Sequence, residues 1–189
     1  MPVTQILQIL YWGWVASEVV IAIATRTRKS GGQVQDRGSQ ALLWIVIVLS
    51  SSIAGWIGYR HPHDLPAPRW VVQYAAIVCI LTGLAIRLSA IFTLGRAFSA
   101  NVAIRESQAL RTHGMYARVR HPSYLGLEII FLATGLYYGN WTSLGIMLIF
   151  PTAALLYRIH LEEAVLRGTF GEQYVAYSRR TKRLIPGIY

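Results

Sequence analysis

Acidic residues are scarce in this 189-residue chain: 8 Asp and Glu stand against 18 Lys and Arg, giving a net charge of +10. Charge of either sign is also low, at 14% of residues, where an ordinary soluble domain carries about 25%. With 54% hydrophobic residues and a mean hydropathy of +0.41, the composition excludes an ordinary soluble domain and points to an integral membrane protein. Cysteine is nearly absent. The single Cys79 lies inside an apolar block, so there is no intrachain disulfide and no second thiolate for a metal site, and no metal is expected. No G-x-G-x-x-G or other phosphate-binding signature is present. The basic residues fall between the apolar blocks and not along amphipathic stripes, which argues against nucleic acid as a partner.

Five apolar blocks are long enough to cross a bilayer or nearly so. They run from Ile6 to Ala24, Ala41 to Tyr59, Val71 to Leu94, Pro122 to Tyr138 and Trp141 to Arg158. The expected fold is all-α, a polytopic helix bundle of about five transmembrane helices. Only Gly139 and Asn140 separate the last two blocks, so these should form a tight antiparallel hairpin. Ala22-Ile23-Ala24 imitates a signal-peptide cleavage site, but no basic residue precedes the first block and Arg26, Arg28 and Lys29 follow it, as in a retained span. If the N-terminus is outside, cytoplasmic segments hold 15 Lys and Arg and the other side holds 2, Arg60 and Arg69. The loop from Gly95 to His121 and the tail from Arg158 then share one cytoplasmic face. Ser30 to Gln40 reads as a flexible loop. Gly135-x-x-x-Gly139, and Ser50-Ser51-Ser52 with Gly55, read as close helix packing.

Ionisable groups inside spans mark functional candidates or structural pairs. Glu18 and Arg87 are expected either to pair across the bundle or to sit near headgroups. Glu128, one turn into the fourth block, either faces the same cavity as His121 or is structural. Pro122 opens a helix whose first turn offers free amides to an anion. Arg158 and Glu162 are spaced i,i+4 and share a face if their helix continues past the span, where the carboxylate can hold the guanidinium toward a substrate carboxylate. The competing view, which spacing alone slightly favours, is a surface pair worth under about 1 kcal/mol.

The second half reads Gly114-x-Tyr116-x-x-x-Arg120-His121-Pro122-Ser123-Tyr124-x-Gly126, then the hairpin. After it come Arg158-x-x-x-Glu162-Glu163-x-x-Leu166-x-x-x-Phe170-Gly171-x-x-Tyr174-x-x-Tyr177 and finally Arg183-Leu184-Ile185-Pro186. These blocks, spanning about Leu94 to Tyr189, resemble the isoprenylcysteine carboxyl methyltransferase family of integral membrane enzymes. The resemblance implies an N-terminal part, 1–93, of three spans and a methyltransferase half, 94–189. It implies S-adenosylmethionine as cofactor and S-adenosylhomocysteine as product, with Gln108, Ala109, Leu110, Arg111, Tyr116, Arg120, His121, Pro122, Ser123 and Glu163 as cofactor-binding candidates. It further implies Arg158 and Glu162 as the catalytic pair, and Arg158 with Tyr124 on the substrate side; Tyr177 is a supporting candidate.

Methyl transfer to a carboxylate needs no strong base, since a terminal carboxyl is ionised at neutral pH. The acceptor is expected to be a lipophilic carboxylate, such as a C-terminal isoprenylcysteine, reaching the site from the bilayer through a gap between spans. Alternatives are methylation of phospholipid amines or another small lipophile, a nicotinamide-dependent reductase, and a non-enzymatic channel or assembly factor.

Overall fold

The computed structural model describes residues 2–25, 32–34, 38–61, 63–95, 103–105 and 110–189. The predicted Gln108 and Ala109 lie outside them, as do Arg26, Arg28, Lys29, Arg37 and Arg96.

Each apolar block folds as a helix: α1 (Val3–Thr25), α2 (Ser39–Arg60), α3 (Arg69–Leu94), α4 (Pro122–Tyr138) and α5 (Trp141–Phe170). A short α6 (Glu172–Arg180) follows α5. Four of the helices, α1, α2, α3 and α5, are long and apolar enough to cross a membrane; α4, at 17 residues, spans roughly 26 Å. The outward surface is apolar, with Trp12, Val20, Ile23, Phe92 and Ile149 exposed. Trp56, Tyr59, Trp70, Tyr74 and Trp141 lie at the helix ends away from His121, as in an interfacial aromatic belt. The chain is an integral membrane protein.

The core forms where α4 lies between α3 and α5, with α1 against α3 and α2 against α5. Ile80, Ile130, Phe131, Met147, Leu155 and Ile159 fill it. The α3–α4 contact depends on two glycines. A Cβ on Gly126 would stand 2.6 Å from the Gly83 carbonyl oxygen and 2.8 Å from the Arg87 Cβ. With only hydrogens there, the two backbones approach closely.

The expected hairpin is present. Gly139 turns α4 at φ 79° and Asn140 caps α5, its Oδ1 accepting from the Ser143 amide at 2.8 Å. The small-residue patterns are packing sites: Gly135 abuts Leu144, and Gly55 faces the Tyr138 ring. Two features depart from expectation. α5 does not stop at Arg158 but continues twelve residues to Phe170, because Leu161 to Leu166 are good helix formers without a breaker and Gly171 supplies the first terminating conformation. The Ser30–Gln40 loop also carries a strand, β1 (Gly32–Val34), paired antiparallel with β2 (Ala103–Arg105) so that Gly32 faces Arg105.

Candidate functional site

Eight segments meet in one layer at the His121 end of the bundle. Before α4, Gly114 at φ 64° opens a 3₁₀ turn (Gly114–Ala117) that buries Tyr116, whose hydroxyl donates to the Ala90 carbonyl on α3 at 3.3 Å. The C-terminal tail then runs alongside: Arg120 and His121 amides donate to the Lys182 and Arg183 carbonyls at 2.8 and 3.0 Å. The Tyr124 and Leu125 amides turn back to the His121 carbonyl. These bonds occupy most of the donors expected to form an anion seat and leave the Ser123 amide.

Glu163 is the hub of the part next to the tail. Its Oε1 accepts from Arg120 Nε at 2.9 Å and lies 3.3 Å from His121 Nε2; its Oε2 accepts from Arg183 Nε at 3.0 Å. The carboxylate, an acceptor only, assigns the ring hydrogen to Nε2. Arg120 also donates to the Ser178 and Thr181 carbonyls, which ties α5, the turn and the tail together. The His121 ring stacks on Tyr124 with centroids 5.5 Å apart and planes 8° apart, and its Nδ1 is 4.0 Å from Glu162 Oε2.

Tyr124 connects this hub to a second one. Its hydroxyl donates to Glu162 Oε2 at 2.7 Å and accepts from Arg158 Nε at 2.9 Å. Arg158 and Glu162 therefore do share one face of α5, yet the carboxylate steadies the guanidinium through a phenol and not by the direct contact expected, because the Tyr124 side chain from α4 enters between them. Arg158 also donates from Nη1 to the Ser39 hydroxyl on α2 at 2.9 Å.

Of the two expectations for Glu18 and Arg87, the structure has the buried pair across the bundle. Arg87 binds both carboxylate oxygens through Nε and Nη2, and its Nη1 donates to the Ser123 hydroxyl at 2.8 Å and carbonyl at 3.3 Å. Trp14 Nε1 adds a bond to Glu18 at 3.3 Å. With the donors so engaged, Arg87 links α1 to the first turn of α4. Glu18, Arg87, Tyr124 and Arg158 line one small cavity with Gln40, and its remaining walls are apolar: Ile21, Ala22, Leu43, Trp44, Ile47 and Leu127. A groove between α1 and α2 shares Glu18, Ala22, Trp44 and Ile47 with it and extends along Val15, Val19 and Val48.

Burial pushes the Tyr177 phenol up to about 12 and raises the Tyr116 and Tyr174 phenols further. All three phenols are neutral at pH 7; Tyr177 donates to the Tyr116 carbonyl at 2.7 Å, whereas the buried Tyr174 hydroxyl has no hydrogen-bond partner among the described residues.

The layer thus unites Tyr116, Arg120, His121, Pro122, Ser123, Tyr124, Arg158, Glu162, Glu163 and Tyr177. It does not gather Leu110 and Arg111 into these contacts: Leu110 is half-buried and Arg111 is exposed beside His113, with its Nη1 3.2 Å from His113 Nε2. Glu128 lies apart from the His121 cluster and accepts from Thr152 at 2.8 Å. Sequence reasoning missed Ser39, which carried no motif, and the role of Arg183, which was visible only as a letter of the closing Arg-Leu-Ile-Pro. Among the described residues no group of three or more His, Cys, Asp or Glu could hold a metal.

A family model described as the isoprenylcysteine carboxyl methyltransferase family matches residues 76–168. Protein-S-isoprenylcysteine O-methyltransferase of Schizosaccharomyces pombe is 36% identical over 120 residues, 62% of this chain and 51% of that protein. Protein-S-isoprenylcysteine O-methyltransferase B of Arabidopsis thaliana is 29% identical over 178 residues, 91% of this chain and 87% of that protein. A solved structure of a eukaryotic intramembrane Ras methyltransferase aligns with a TM-score of 0.64 and 31% identity, covering 77% of this chain and 52% of that one. The chain spans about half to two thirds of the length of most of the curated relatives it matches.

Proposed function

The chain belongs to the isoprenylcysteine carboxyl methyltransferase family, and from that premise we propose that it methylates the carboxylate of a lipophilic acceptor, such as a C-terminal isoprenylcysteine, with S-adenosylmethionine as donor. The observation that carries the reading is the place of Arg158: a buried guanidinium at the polar end of a cavity with apolar walls, continuous with a groove between two membrane helices. A cation there suits a carboxylate head, and the groove suits its apolar tail. Lateral access avoids extracting the tail from lipid, which costs about 0.8 kcal/mol per methylene.

The residues present fit the donor. The stacked His121 and Tyr124 rings offer a π surface, and Glu162, with a side chain one-third exposed, offers a carboxylate, both suited to a sulfonium or ammonium group. Tyr116, His121 and Pro122 would hold it, while Arg120, Ser123 and Glu163 brace the turn. When bound, S-adenosylmethionine supplies an electrophilic methyl on a sulfonium whose sulfur leaves as a neutral thioether.

Arg158 binds one oxygen of the acceptor carboxylate and turns the other toward the methyl carbon. The methyl group that the donor would supply would end on that oxygen as a methyl ester, with S-adenosylhomocysteine as the other product. No proton moves, so catalysis consists of alignment and exclusion of water. Tyr124 fixes the guanidinium plane, and Glu162 keeps the phenol hydrogen turned away from Arg158. The membrane orientation we favour has the N-terminus outside and this layer facing the cytoplasm, following the 15-to-2 distribution of basic residues. The 94–189 half supplies most of the chemistry, with Glu18, Ser39 and Arg87 of the 1–93 half supporting it.

Calorimetric titration with S-adenosylhomocysteine tests the cofactor assignment. Micromolar binding by wild type that is lost in His121→Ala is expected; absence of binding by folded wild type overturns the reading.

A further inference from the structure

A second cationic site lies on the tail, apart from the cavity. Arg179, Arg180, Lys182 and Arg183 surround an open recess, with Ser178 and Tyr189 in its walls. Arg118 adjoins it, since its carbonyl accepts from the Lys182 amide at 3.1 Å. Among the described residues no carboxylate pairs with Arg118, Arg179, Arg180 or Lys182; Arg183 and Arg120, which also lines the recess, share one, Glu163. The single acidic residue of α6 is Glu172 at its start, about 12 Å along the helix from Arg180. Such a cluster repels itself, and an anion bound among its members relieves that repulsion.

The tail pairs with the chain directly before α4, Val119 bridging Lys182, so the cations lie at the His121 end of the bundle, beside the start of the apolar α4. Beside them Ile185 and Ile188 are 42% and 75% exposed, an apolar tip that water alone would not favour. Cations at headgroup level next to aliphatic side chains match an anionic phospholipid, phosphate above and acyl chains below.

We propose that this recess binds the headgroup of an anionic phospholipid, its phosphate held by Arg179, Arg180 and Lys182, with Ile185 and Ile188 in the acyl region. A headgroup there adjoins Arg183, whose Nη1 donates to the Tyr189 hydroxyl and whose Nε holds Glu163. Bound lipid therefore braces the tail that supports the His121 turn.

The test is native mass spectrometry of the delipidated full chain in uncharged detergent, titrated with dioleoylphosphatidylglycerol or dioleoylphosphatidylcholine, a readout that does not use methyl transfer. Wild type should retain at least about fivefold more of the anionic lipid. The triple variant Arg179→Gln, Arg180→Gln, Lys182→Gln should retain the two equally, while Arg167→Gln, an exposed cation outside the recess, should keep the preference. Equal retention by wild type, an unchanged preference in the triple variant, or a loss of equal size in Arg167→Gln contradicts a site.

Discussion

Arg158 and Glu162, one turn apart on α5, communicate through the hydroxyl of Tyr124, which accepts from the guanidinium at 2.9 Å and donates to the carboxylate at 2.7 Å. The phenol makes the proposed catalytic pair a three-residue unit spanning two helices. Tyr124→Phe keeps the ring that stacks on His121 and removes only this relay. A hydrogen bond to a charged group contributes about 1.5–3 kcal/mol, so kcat should fall by roughly tenfold or more while S-adenosylhomocysteine affinity stays within about twofold. Steady-state kinetics with calorimetry separate the two effects.

Arg158→Lys should not rescue Arg158→Ala. An ammonium cannot reach the Tyr124 and Ser39 oxygens with the same fork while presenting a further donor to a carboxylate. Both variants should lose at least about a hundredfold in kcat/KM, the size expected when an aligned charged contact is removed. Initial rates at saturating cofactor measure this.

The Glu18–Arg87 pair predicts an asymmetry in stability. Removing one partner leaves a buried charge unmatched, costing about 3–5 kcal/mol, whereas neutralising both costs much less. Glu18→Gln or Arg87→Gln alone should lower the thermal midpoint in detergent by roughly 10 °C, and the double variant Glu18→Gln with Arg87→Gln should recover most of the difference. Differential scanning fluorimetry of the four proteins completes the cycle.

Gly126→Ala should fold poorly, because its Cβ would meet backbone at 2.6 Å and force α3 and α4 apart beneath the His121 turn. Gly145→Ala, with nothing within 4 Å of the added carbon, should be neutral or slightly stabilising. Detergent-extracted yield and melting midpoint distinguish the two substitutions.

Burial raises Tyr177, so its stabilising effect is complete below the ordinary tyrosine range and is lost as pH climbs through its folded value of about 12. The melting midpoint should show no loss from this group up to pH 9 and a decline above about pH 10; Tyr177→Phe should flatten that decline.

The helices and the joining of the last two were legible because apolar runs and the Gly139-Asn140 turn are local signals. The His121, Arg158 and Glu163 positions were legible because they sit in dense motifs. Ser39, the Tyr124 relay and the Arg183–Glu163 bond were not, since each joins residues 20 to 119 positions apart and depends on tertiary packing that no local spacing encodes. The length of α5 was understated because hydropathy falls after Arg158 while helix propensity does not.

The most direct test of the account is transfer of labelled methyl from S-adenosylmethionine to an S-farnesylcysteine analogue with a free carboxylate, by wild type and Arg158→Ala. S-adenosylhomocysteine binding is measured on both. The account predicts a base-labile methyl ester from wild type, and at least a hundredfold less from a variant that still binds S-adenosylhomocysteine. Near-normal turnover by Arg158→Ala, or label appearing on an amine, would contradict it.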